Sequence, residues 1–161
     1  NCPLAIETSG HAALRENYFL DDGAYLVTKI IIKMAQLRRE GKNLDSLLEA
    51  LAEPVEAAEV RLPILEEDFR SCGMKVIENL ERYAKAHDWA IAPDNREGMR
   101  VSFPAEEGDG WFLLRLSVHD PIMPLNMESN RDGGVKMIAH HLQEYLLTCE
   151  GLDITPMEKV L

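Results

Sequence analysis

Between Ala24 and Leu37 the apolar residues fall at positions 24–27, 30–32, 34, 35 and 37. That spread has a helical period but is too broad for one stripe, so a helix here demands burial on most of its sides. Asp21 and Asp22 offer N-cap oxygens and favourable negative charge at its start. Arg38, Arg39 and Gly41 sign its end near residue 39. Ahead of it stands one apolar run, Pro3 to Ile6, which reads as a buried strand leading into the glycine-bearing turn Glu7-Thr-Ser-Gly-His11. One strand and one helix cannot bury so wide an apolar surface. The first 45 residues therefore read as the end of a domain whose beginning is missing. The helix over 21–39 is expected to meet either that missing part or its counterpart in a second chain.

Charge divides the chain near the same place. The formal net charge is −11, and all of it lies after residue 45: the first 45 residues carry six acids and six bases, the remainder 22 and 11. Pro54 ends whatever helix precedes it. This places one unit at 1–50, a linker at 51–57 and a second unit at 58–161. A composition 46% hydrophobic and 28% charged argues against a disordered chain. The acidic surface repels phosphate backbones, which speaks against a nucleic-acid partner. Lys29 and Lys33 flank the aliphatic cluster Ile30–Ile32, and no apolar run reaches the roughly 20 residues of a membrane helix. The N-terminus lacks the basic-then-apolar order of a signal peptide. Cys2, Cys72 and Cys149 are odd in number and form no C-x-x-C pair, so buried or half-buried thiols in a reducing cytoplasm are expected.

The second unit carries a full set of elements. Glu56–Leu65 reads as a strand, and Asp68 caps a helix to about His87 with Phe69, Met74, Ile77, Leu80 and Ala84 on its apolar face. Strands follow at Trp89–Ala92, Met99–Phe103, Trp111–Val118 and Pro124–Ser129, then a helix over Gly133–Thr148 and an irregular or short helical tail. The expected fold class is α+β, an antiparallel sheet with helices on one face, preceded by a strand-helix remnant.

Two segments carry candidate chemistry. Glu7, Ser9 and His11 recur every second residue, so an extended backbone would point all three the same way. A carboxylate, a hydroxyl and an imidazole offer both acceptors and donors to sugar hydroxyls. The plainer alternative is a polar turn that satisfies its own backbone. The second segment is Arg115-Leu-Ser-Val-His-Asp-Pro121, at the end of an apolar strand. A planar guanidinium suits a phosphate, with Ser117, His119 and loop amides completing the site. The alternative is an ion pair with Asp120 or a neighbouring glutamate. His140, His141 and Glu144 do not make a metal site, since adjacent helical histidines diverge by about 100°; a solvated helix face is expected there.

At these segments the sequence resembles the bacterial phosphomannomutase/phosphoglucomutase family, the α-D-phosphohexomutases. Ile6-Glu7-Thr8-Ser9-Gly10-His11 resembles the family's G-E-x-S-G-H sugar loop, and Asn17-Tyr-Phe-Leu-Asp-Asp-Gly-Ala-Tyr25 its aromatic-then-D-D-G-x-Y helix start. Glu97-Gly-Met-Arg-Val101 and Arg115-Leu-Ser-Val-His-Asp-Pro121 resemble its D-G-x-R-V strand and R-x-S-N-T-x-P phosphate loop. The resemblance implies a four-domain isomerase, roughly three times this length, that interconverts hexose 1- and 6-phosphates through a hexose bisphosphate. It implies a phosphorylated serine in a T-A-S-H-N-P motif and Mg²⁺ in a D-x-D-G-D-R motif, neither of which occurs here. The chain would then be the end of the α/β third domain (1–50) and the TATA-binding-protein-like fourth domain (58–161). By that resemblance Glu7, Ser9 and His11 bind sugar hydroxyls, and Arg115, Ser117 and His119 bind the phosphate not being transferred. The resemblance further implies that this part holds no catalytic residue, binds no cofactor itself and is inactive alone. Val118, His119 and Asp120 depart from the family's asparagine and threonines; His119 replaces a lost donor best when protonated. The rival readings are a stand-alone phosphosugar-binding module and an oligomerisation module.

Overall fold

The computed structural model describes residues 2–7, 10–96 and 98–161, and the chain divides between Ala52 and Glu53 into two units. In the first, strands β1 (Leu4–Ile6) and β2 (Ala12–Leu14) form an antiparallel hairpin with Ile6 opposite Ala12. The expectation of a single buried strand is corrected on both counts: β2 supplies a partner, and Ile6 is 61% exposed. Two three-residue strands present too little surface to cover anything larger. Helix α1 (Gly23–Arg39) begins where the Asp22 carboxylate accepts the Tyr25 N–H at 3.0 Å. It ends in a Schellman turn, with the Gly41 N–H donating to Arg38 and the Lys42 N–H to Leu37. Of this helix only Leu37 is buried, so the burial its pattern demands is not met within the unit.

The second unit has its partners. Strands β3 (Glu56–Pro63), β4 (Ala90–Ile91), β5 (Gly98–Phe103), β6 (Gly110–Arg115) and β7 (Ile122–Ser129) pair antiparallel in the order β3-β7-β6-β5-β4. Alternation decides which face is covered. Val60, Leu62, Met99, Val101, Phe112, Leu114, Met123 and Leu125 are buried, whereas Glu59, Arg61, Arg100 and Ser102 between them are exposed. Helix α2 (Phe69–Ala86) lies on β4 and β5, and α3 (Gly134–Leu146) on β3, β6 and β7. Val76, Leu80, Ala84, Ile138, Leu142 and Leu146 complete one core with the sheet. This is the expected α+β layer.

Several details differ from the sequence reading. Met74 is exposed and Val76 takes the buried position on α2. β7 starts at Ile122, so Pro124, read as a strand start, lies inside the strand opposite Arg61. β6 stops at Arg115, and residues 116–120 leave the sheet. The tail is tied down by a bridge between Ile64 and Leu152 and by buried Met157 in a short 3-10 helix, Thr155–Lys159. Glu56 reaches from β3 to the start of α3, accepting the Gly133 N–H at 2.7 Å and the Val135 N–H at 3.0 Å. Those bonds hold its carboxyl below the ordinary value. Cys2 is exposed, contrary to expectation, while Cys72 and Cys149 are half-buried, and burial raises both thiols. His141 is no solvated side chain: its ring stacks on Phe103 at 5.2 Å.

Candidate functional site

The two candidate segments lie in different units. In the first, the Gly10 N–H donates to the Glu7 carbonyl at 3.0 Å and the Glu7 N–H to the His11 carbonyl at 2.9 Å. Gly10 has φ 90°, a conformation open to glycine at little steric cost. Glu7 and His11 stand opposite each other at the hairpin end, so cross-strand pairing, not alternation along one strand, puts these two on one face. Ser9 lies outside the described residues. His11 Nδ1 is 2.6 Å from Asp21 Oδ2. An ionised carboxylate can only accept, so Nδ1 donates and Nε2 is left for a ligand. Of the two expected capping carboxylates, Asp22 caps α1 and Asp21 pairs with His11 instead.

Arg115, Ser117 and His119 follow one another through the end of β6 and the loop after it. Phe112 and Leu114 point into the core, so alternation sets Arg115 on the helix-free face of the sheet, half-buried and opposite Gly98. A Cβ at Gly98 would lie 2.3 Å from the Leu114 oxygen and 2.8 Å from Arg115 Cα, so only glycine admits this approach of β5 to β6. The Arg115 guanidinium makes no hydrogen bond or ion pair with any described residue, including Asp120. Among the described residues Arg115 thus has no ionic partner; the neighbouring Glu97 lies outside them.

The loop's hydrogen bonds can be accounted for one by one. The Ser117 N–H donates to Ile122 O at 3.0 Å, and the Asp120 N–H to Ser117 Oγ at 3.2 Å. The Ser117 hydroxyl proton stays available. The N–H groups of Val118 and His119 meet no partner among the described residues. Residues 115–119 thus carry a guanidinium, a hydroxyl and two successive amides, donor types that suit a small oxyanion. Arg70, which sequence reasoning missed, donates from Nη2 to the Val118 carbonyl at 2.8 Å. The available signal was its place in the first turn of α2, where a cation opposes the helix dipole. A cleft of about 780 Å³ near α2 is lined by Glu66, Asp68, Glu78 and Glu150 with Lys75, and includes none of the predicted residues. Its acidic lining is unsuited to phosphate. Among the described residues, no three His, Cys, Asp or Glu side chains come together as a metal site, and no helix is long and apolar enough to cross a membrane.

No protein-family model matches the chain. A phosphomannomutase/phosphoglucomutase of Pseudomonas putida is 27% identical over 149 residues, which is 91% of this chain and 29% of that protein. The chain resembles phosphomannomutase/phosphoglucomutase family proteins. A crystal structure of such a family protein from Burkholderia thailandensis superposes with a TM-score of 0.67 at 27% identity, covering 92% of this chain and 29% of that one. The chain thus spans 29% of the length of each of these relatives.

Proposed function

We propose that the chain is the C-terminal part of a phosphohexomutase, an isomerase that interconverts hexose 1- and 6-phosphates, and that its role is to bind phosphosugar. The observation that supports this reading is the end of β6 and the loop after it, where half-buried Arg115, without a partner among the described residues, is followed by the Ser117 hydroxyl and by the Val118 and His119 amides, also without partners among them. Arg115 and Ser117 take the phosphate that is not being transferred. His119 adds a donor when protonated. Glu7, Ser9 and His11 take sugar hydroxyls, with Asp21 fixing the His11 ring. A net charge of −11 is no obstacle, because one phosphate needs only a local group of donors.

Among the described residues, no three acidic, imidazole or thiol side chains come together to hold Mg²⁺. In the enzyme as a whole, Mg²⁺ and the phosphoserine belong to other domains, and the rest of the third domain covers α1. Phosphoryl transfer needs those groups and in-line positioning, so the segment alone is inactive. In the intact enzyme, Arg115→Ala should raise KM for a hexose phosphate by the equivalent of about 1.5–3 kcal/mol. Wild-type kinetics would remove Arg115 from the site. Exposed α1 favours a second reading, an oligomerisation module in which two copies pair through that helix. A strict monomer in sedimentation velocity counts against it.

A further inference from the structure

A phosphate site in the loop after β6 requires that the loop keep its donors turned outward. Its tip is exposed and its Val118 side chain supplies no polar group. Exposed loops of this kind can turn a peptide plane over, and such a turn would replace an N–H by a carbonyl oxygen facing the anion. In a trans peptide the C=O of one residue and the N–H of the next point in opposite directions, and the described chain contains no cis bond. Whatever grips the Val118 carbonyl therefore also aims the His119 N–H.

Arg70 grips it. Its Nη2 donates to Val118 O at 2.8 Å, across 48 residues of sequence. α2 meets this stretch a second time one turn later: a Cβ at Gly73 would lie 2.4 Å from Leu116 Cδ1, so the helix backbone and the loop root are in close contact. Residues 70 and 73 share one helix face. The guanidinium is itself set against the Phe69 ring, 5.7 Å from its centroid. Asp68, which caps α2 through Ser71, makes no ion pair with Arg70. The other side of the loop is fixed by the Asp120 N–H on Ser117 Oγ.

Resting on the phosphate reading, we infer that Arg70 is a positioning residue of the anion loop: by holding the Val118 carbonyl toward α2 it keeps the His119 N–H turned to the ligand. It acts through backbone geometry and not through its own charge.

The test uses the 161-residue chain, titrated with inorganic phosphate and with glucose 6-phosphate while affinity and the His119 amide resonance are followed. Arg70→Ala should weaken binding about five- to tenfold, in the range of one lost hydrogen bond. It should also move the His119 amide resonance before ligand is added, and leave the melting temperature near that of wild type. The weakening should persist at high salt, where a through-space charge effect is screened. Arg70→Lys should recover part of the affinity and of the resonance position, and it provides a second variant that keeps the charge. Loss of binding in Arg115→Ala with none in Arg70→Ala overturns the role of Arg70 and leaves the phosphate site standing. A deficit in Arg70→Ala that vanishes at high salt also overturns it, because charge alone would then explain the effect. No binding by the unaltered chain overturns the phosphate reading and this inference with it.

Discussion

α1 and α2 are nearly equal in length, 17 and 18 residues, and meet opposite fates. On α1, Val27, Ile31 and Ile32 are each more than half exposed; on α2, Leu80 and Ala84 are fully buried. Their own patterns predict the reverse, since α1 is apolar around more of its circumference. What decides burial is the layer each helix finds. α2 has a five-stranded sheet to lie on, whereas the unit of α1 offers a hairpin of three-residue strands. A broad apolar pattern therefore does not by itself bury a helix. Each large aliphatic side chain that gains cover is worth about 1.5–3 kcal/mol, so α1 holds a substantial latent contribution to any assembly that covers it.

The largest expected effect tests that contrast directly. Phe112→Ala removes a fully buried ring and should cost about 3–5 kcal/mol in chemical denaturation. Ile31→Ala, at a site 58% exposed, should stay within about 0.5 kcal/mol. A comparable loss at both sites would mean that α1 is covered in solution. Next in size, Gly98→Ala brings a Cβ within 2.3 Å of the Leu114 oxygen. It should destabilise the second unit by about 1–3 kcal/mol and weaken phosphate binding by displacing Arg115. The smallest effect belongs to Glu56→Gln. The carboxylate of Glu56 is held below its ordinary value by the Gly133 and Val135 amides, so folding favours its ionised form. Its stabilisation is complete above the ordinary value and is lost as pH falls through the native one. Wild type should melt above the variant at pH 7, with the gap closing below about pH 4.5. A gap that does not change with pH would show that the charge is not what caps α3.

Much of the second unit was legible because strand alternation and helix period are local signals. Met99, Val101 and Phe103 point inward as their spacing indicates. What was not legible depends on partners distant in sequence. Pro124 looked like a strand start because proline donates no hydrogen bond, yet the long pairing with β3 carries β7 two residues further back. Met74 and Val76 are both apolar, and only the position of the sheet chooses between them. At the sites, the residue types were readable and their neighbours were not. His11 was visible as an imidazole, but its pairing with Asp21 depends on how the hairpin returns to the start of α1. Arg115 was visible as an arginine out of place in an apolar strand. That Arg70 reaches the loop it introduces depends on how α2 packs against the end of the sheet.

An amide-resolved titration with glucose 6-phosphate is the most direct test of the proposed phosphate site in the loop after β6. The expected result is saturable shifts centred on the amides of Val118 and His119, lost in Arg115→Ala. Shifts centred on the acidic cleft near Glu66 and Cys72, or unchanged by Arg115→Ala, would contradict it.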